Sequence, residues 1–197
     1  RCKGCLLLML GLPWMLDLLT IYDTEGDRSS NLCRRNPHIC WQNSYGMASY
    51  HAYWTIENVR MAENTPNWSH ACWGSNRENF GTMFESGDVI YFSTIDEDGY
   101  HSLFSKLVLD RFTGGKEETE PLIPFSLTNV PFDSYWMGKE PWNRLFDVPF
   151  NQLALTLDFT SGKKLPVDYT GQHLQTIREL TQSDVLAIEE LIEAYVG

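Results

Sequence analysis

The sequence predicts an α+β fold: short strands closing on one another as a small β-barrel, flanked by helices, with a helix at the C-terminus. Three observations predict it. Strand-like runs alternate with turn signals through residues 51–165. Residues 181–196 repeat apolar side chains at helical spacing. A chain of 197 residues with 43% hydrophobic content can bury one good core.

The elements follow in order. Residues 51–59 (HAYWTIENV) have the aromatic and β-branched content of a first strand. Asn, Pro and Thr gather at 64–68 as a loop, and 79–84 are expected as a short helix. Gly87 and Asp88 turn into a buried strand at 89–94 (VIYFST). The acidic turn 96–99 (DEDG) makes a hairpin with 102–110 (SLFSKLVLD). The polar stretch 113–120 is expected as a loop, and 146–150 and 154–159 as further strands. Ser183, or alternatively Thr181, caps the C-terminal helix, and Asp184 suits the positive end of its dipole. Val185, Ile188, Leu191, Ile192 and Tyr195 form a stripe for the core, with Glu189, Glu190 and Glu193 mainly opposite.

Residues 1–46 differ from this body and are expected to be a leader or appended segment, with the domain at 47–197 and Met47 a plausible start. The run 6–19 (LLLMLGLPWMLDLL) is apolar, but Pro13 and Asp17 interrupt it, and it is short for a membrane span. Four of the five cysteines lie here: Cys2, Cys5, Cys33 and Cys40. Thiolate pairs at short spacing, with His38 between the latter two, allow a zinc reading; incidental cysteines are the plainer one. The body holds only Cys72, which fits a reduced, intracellular domain without disulfides.

The formal charge of −11 argues against wrapping long stretches of nucleic-acid backbone, while leaving room for one basic groove. Catalytic signatures are absent. There is no P-loop, no Gly-x-Gly-x-x-Gly after a strand, no His-Glu-x-x-His and no Gly-x-Ser-x-Gly. His38, His51, His70, His101 and His173 are scattered without metal-ligand spacing. Asp96, Glu97 and Asp98 read as a solvated turn. Cys72 with His70 lacks an orienting third group. The expectation is a non-enzyme without cofactor or metal.

Three tryptophans carry the functional signal. Trp73 sits in ACWGSN (71–76), and Trp136 and Trp142 share SYWMGKEPWNRLFDV (134–148). Both segments look loop-like, and an exposed tryptophan needs something flat or apolar to cover. Trp14, Trp41, Trp54 and Trp68 are read as structural.

Together with GDVIYFSTIDEDGYHSLFSKLVL (87–109) and KKLPVDYTGQHL (163–174), these blocks resemble, in order and approximate spacing, the YTH domain. That family reads modified adenine and belongs to the PUA-like superfamily. Gly74 stands where the family has Cys or Ser, the Trp136–Trp142 gap is one residue longer, and Tyr169-Thr170 replace Arg-Asp. Residues 53–58 (YWTIEN) and 87–92 (GDVIYF) are equally similar to the sister EVE domain, which reads modified cytosine in DNA in restriction systems. The resemblance implies a PUA-like barrel that binds a flipped-out modified base, N6-methyladenine first, in single-stranded RNA or DNA. A nuclease or processing protein is an implied partner, and a PUA-like enzyme or small-molecule binder is the alternative of another class.

The physical case for such a reader is modest but additive. Burying one methyl is worth about 0.8 kcal/mol, aromatic walls add about 0.5–1.5 kcal/mol, and stacking on Trp about 1–3 kcal/mol. The expected cage is Trp73, Trp136 and Trp142. Asn58, Gly74, Ser75 and Asn76 are candidates for the base edge. Arg77, Lys106, Arg111, Lys139, Arg144, Lys163 and Lys164 are candidates for phosphate.

Overall fold

The computed structural model describes residues 47–63, 72–122, 132–139 and 144–196, all within the unit His38–Gly197. Of residues 61–63, 144 and 145 only the backbone is described. The boundary near residue 46, the zinc reading, the loop at 64–68 and Trp142 lie outside the described residues.

The fold is α+β around a mixed seven-stranded sheet. The strands are β1 (Ser49–Tyr53), β2 (Cys72–Ser75), β3 (Val89–Ile95), β4 (His101–Thr113), β5 (Ser134–Gly138), β6 (Arg144–Pro149) and β7 (Arg178–Glu179). The helices are α1 (Ile56–Glu63), α2 (Gly115–Thr119, running into a 3-10 turn at Glu120–Leu122), α3 (Asn151–Ala154), α4 (Gly171–Leu174) and α5 (Gln182–Val196). Strand order is β2-β5-β4-β3-β1-β7, with β6 also on β4. Only β1 and β3 run parallel among these pairs. The 13 residues of β4 organise the sheet: β6 pairs with its first half and β5 with its second.

The sheet is covered on both sides, which is why β3 is buried at consecutive positions from Val89 to Thr94 rather than at alternate ones. Ile90 and Phe92 face an aromatic cluster with Trp73, Phe80, Phe84, Phe104 and Trp136. Val89 and Tyr91 face the other cluster, where Phe146, Val148, Phe150, Leu157, Phe159 and Ile188 of α5 pack.

The hairpin and the C-terminal helix stand as expected, whereas four stretches differ. The first strand stops at Tyr53, because Thr55 caps α1: its Oγ1 accepts from Asn58 N–H at 3.4 Å. Residues 79–84 form successive turns, not a helix, with Phe80 N–H on Arg77 O and Thr82 N–H on Asn79 O. The polar stretch at 113–120 contains α2, which is closed by a 2.7 Å hydroxyl bond between Thr113 and Thr119. Residues 154–159 bury Leu157 and Phe159 at alternate positions as a strand would, yet among the described residues they have no strand partner. The amides of Asp158 and Phe159 donate to the buried Asp184 carboxylate instead, each at 2.9 Å.

That carboxylate also settles the helix cap. Asp184 accepts from Thr181 N–H at 2.9 Å while Thr181 Oγ1 accepts from Asp184 N–H at 3.2 Å, so Thr181 rather than Ser183 starts α5. On the same helix Glu189 is buried, not solvated, and Tyr195 is 59% exposed, outside the core stripe. Among the described residues no helix is long and apolar enough to cross a membrane.

Candidate nucleic-base site

Trp73 and Trp136 lie in strands, not loops. They are direct cross-strand partners on β2 and β5 and therefore share one face. Both are buried, at 8% and 5% exposure. Trp73 meets Phe80 edge to face at 4.9 Å and Phe92 at 5.3 Å, and leans on Phe84 at 5.3 Å. Phe84 also reaches Trp136 at 6.4 Å, so a ring already stands in contact with both tryptophans. The Trp136 indole N–H donates to Phe80 O at 3.1 Å, which fixes its rotamer. Phe112 packs on Trp136 at 5.5 Å and lies over Gly81, where an added Cβ would come within 2.6 Å of its ring.

Beside Trp73 the cluster leaves a notch. Trp54, Cys72, Trp73, Phe92, Phe104, Ser105 and Leu107 line it, leaving room inside for about 10 Å3, one water-sized guest at most. A β-bulge shapes one wall. The β3–β4 register shifts between Phe92 and Ser93, so Phe104 and Ser105 both reach the notch from consecutive positions. Trp54 forms another wall just past β1, its amide on Ser93 O at 2.9 Å and its ring 5.3 Å from Phe92 and 5.7 Å from Phe104. Burial pushes the Cys72 thiol up to about 11, so it stays protonated and serves as wall, not nucleophile. Among the described residues no three His, Cys, Asp or Glu side chains gather as a metal site.

Sequence reasoning placed Trp54 on the structural side and did not single out Phe92, Phe104 or Leu107. Their signal was available only as aromatic content in the 53–58 and 87–109 blocks. The bulge that turns Phe104 and Ser105 together has no local signature.

The expected edge readers are mostly engaged elsewhere. Asn76 Oδ1 accepts from Asp133 N–H at 2.9 Å, and Ser75 Oγ accepts from Arg77 N–H at 3.2 Å. The first ties the chain after β2 to the chain before β5, and the second is local to the turn after β2. Gly74 lies under Phe132 and Tyr135, and a Cβ there would come within 2.1 Å of the Phe132 ring. Asn58 is exposed on α1.

The cations divide. Arg77, Arg111, Lys139 and Lys163 are exposed. Lys164 pairs with Asp158 at 3.0 Å on the surface. Of Arg144 only the backbone is described, in β6. Lys106 is removed from the phosphate set: its ammonium is buried against the Glu189 carboxylate, which also accepts from the Tyr91 hydroxyl. Strand pairing explains this, because Lys106 lies opposite Tyr91 and shares its face.

No family model matches the chain, and no curated protein matches it. The resemblance to the YTH and EVE families therefore rests on the sequence blocks. Among solved structures, the chain is similar to the N-terminal domain of Thermococcus gammatolerans McrB bound to m5C DNA. The identity is 9% and the TM-score 0.43, with 76% of this chain and 99% of that chain covered.

Proposed function

We propose that this chain is a non-catalytic module that takes a flipped-out methylated base of a nucleic acid into the notch beside Trp73. The notch itself carries the reading: a partly open, ring-walled recess lined almost wholly by apolar side chains. Such walls favour a methyl over the hydrogen it replaces, because the methyl gains apolar contact. As it stands the recess has room for only about 10 Å3, one water-sized guest at most, so the ring walls must part for a base to enter. A single-ring base asks for the smaller opening, which favours 5-methylcytosine over the purine N6-methyladenine. Trp54, Trp73, Phe92 and Phe104 would form the seat, with Trp136 supporting Trp73 from the next strand. Arg77, Arg111, Lys139 and Lys163 would meet the flanking phosphates, and any strand cleavage would belong to a partner protein.

Short labelled oligonucleotides test this, carrying one 5-methylcytosine, one N6-methyladenine or neither, titrated at fixed low salt. Preference for 5-methylcytosine over cytosine should reach about 10- to 50-fold, the sum of methyl burial and aromatic contact. Trp54→Ala should abolish the preference while the melting curve stays cooperative. Equal affinity for all three oligonucleotides would sink the reading.

A further inference from the structure

Two buried hydroxyls lie on the ring-lined face of the sheet, at the notch. Ser105 of β4 is 2% exposed and is the one hydroxyl among the residues that line the recess. Strand pairing sets it opposite Phe92, so it shares the face of that ring. Next along β3 on the same face is Thr94, 4% exposed, whose Oγ1 has no hydrogen-bond partner. Its cross-strand neighbour Ser102 is buried too and does not bond it.

The backbone ladder sets Thr94 beside Trp54. Strands β1 and β3 run parallel with Tyr53 against Ser93. The Trp54 N–H continues that ladder onto Ser93 O at 2.9 Å, so Trp54 stands next to Thr94. Ala52, two residues before Trp54, packs in the aromatic cluster, and Trp54 therefore faces the same side as Phe92 and Thr94. Its ring closes this corner of the notch, 5.3 Å from Phe92 and 5.7 Å from Phe104.

A sealed hydroxyl without a partner destabilises the free protein, because its hydration is lost and nothing replaces it. Strand propensity does not call for it, since valine suits a buried strand as well as threonine does. A flipped base has the complementary problem. Its amine and its ring-edge acceptors leave the duplex stripped of their pairing partners, and aromatic walls offer them no replacement. Ser75 and Asn76 do not supply one, because each already holds a backbone amide. The unpaired hydroxyl and the unpaired base edge thus answer one another.

We infer that Thr94 and Ser105 are the specificity-determining contacts for the hydrogen-bonding edge of the base, and that Trp54 is the wall that parts to uncover them. This rests on the notch being the base site. A hydroxyl both donates and accepts, so the pair can give to the ring nitrogen or carbonyl of a cytosine and take from its amine. Cytosine and 5-methylcytosine present the same edge. The hydroxyls therefore hold both bases alike, and the rings alone distinguish the methyl.

Labelled oligonucleotides carrying 5-methylcytosine or cytosine, titrated against the wild-type chain and three variants beside their melting curves, test this. Thr94→Val should melt about 2–4 °C higher, because the unpaired hydroxyl is gone. It should nevertheless bind both oligonucleotides about 2- to 10-fold more weakly, the worth of one hydrogen bond. Ser105→Ala should weaken both by a similar factor. The ratio between the two oligonucleotides should stay at its wild-type value, which separates edge contact from methyl contact. Thr94→Ser, which keeps the hydroxyl, should bind closer to wild type than Thr94→Val. The inference is overturned if Thr94→Val or Ser105→Ala binds as the wild-type chain does while that chain prefers the methylated oligonucleotide. A wild-type chain without methyl preference overturns the base-site reading itself, and this inference with it.

Discussion

The two faces of the central sheet are held by different forces. On one, Trp73, Phe80, Phe84, Phe92, Phe104 and Trp136 meet ring to ring with few polar bonds. On the other, mixed aliphatic and aromatic packing is threaded by buried polar groups: Tyr91–Glu189–Lys106, Asp184 on three backbone amides, and His51–Ser93–His101–Tyr169. Ring packing is non-directional, so that face can leave a recess and adjust to a guest. Hydrogen-bonded lines are directional, and one missing partner strands another group at full desolvation cost. Binding therefore belongs with the aromatic face, and the fixing of strand register with the polar one.

The largest effect should come from breaking a polar line. Lys106 and Glu189 are only 14% and 9% exposed, so removing Glu189 alone leaves an ammonium buried without compensation. Glu189→Leu should lower stability by about 3–5 kcal/mol in urea unfolding. Lys106→Met combined with Glu189→Leu should recover most of that loss, since the stranded charge goes too. A single-variant loss below about 1 kcal/mol would erase the distinction between the faces.

A smaller effect is expected on the aromatic face, where volume matters more than partner identity. Trp73→Phe should cost about 1–3 kcal/mol by thermal melting, with a cooperative transition retained. Trp73→Ala would empty a core site and cost about 3–5 kcal/mol, so it cannot separate binding from folding. A loop position would let Trp73 be truncated with the fold intact; its buried place in β2 reverses that.

That reversal shows where sequence stops being informative. The 89–110 hairpin and the C-terminal helix were legible because each is long enough to declare its period. The strands β2 and β5, of 4 and 5 residues, were not: Gly74 and Gly138 look like loop glycines until the Trp73–Trp136 pairing is seen. Glu189 read as solvent-facing because its partners, Tyr91 and Lys106, lie 98 and 83 residues away. The histidines looked scattered because Ser93, which joins two of them, is assigned to neither by spacing. Around the notch, Trp73 and the 87–109 block carry a signal in the sequence, whereas Trp54 and the bulge at Phe104 depend on tertiary placement.

The smallest effect on stability should be the most informative about binding. Arg111 and Lys139 flank the β4–β5 ladder, both exposed, with Lys139 anchored through its amide on Val108 O at 2.8 Å. Neither side chain fills a core, so the Arg111→Ala and Lys139→Ala variants should each melt within about 0.5 kcal/mol of the parent. On a chain of net charge −11, however, each exposed cation near the ligand counts strongly. If both touch phosphate, the slope of log affinity against log salt should shrink by about 1 for each replacement, with methyl preference unchanged. That separation follows from the two kinds of contact: phosphates set how tightly the strand is held, and the notch sets which base is accepted. An unchanged slope would place the backbone path elsewhere and leave Arg77 and Lys163 as the cations to replace next.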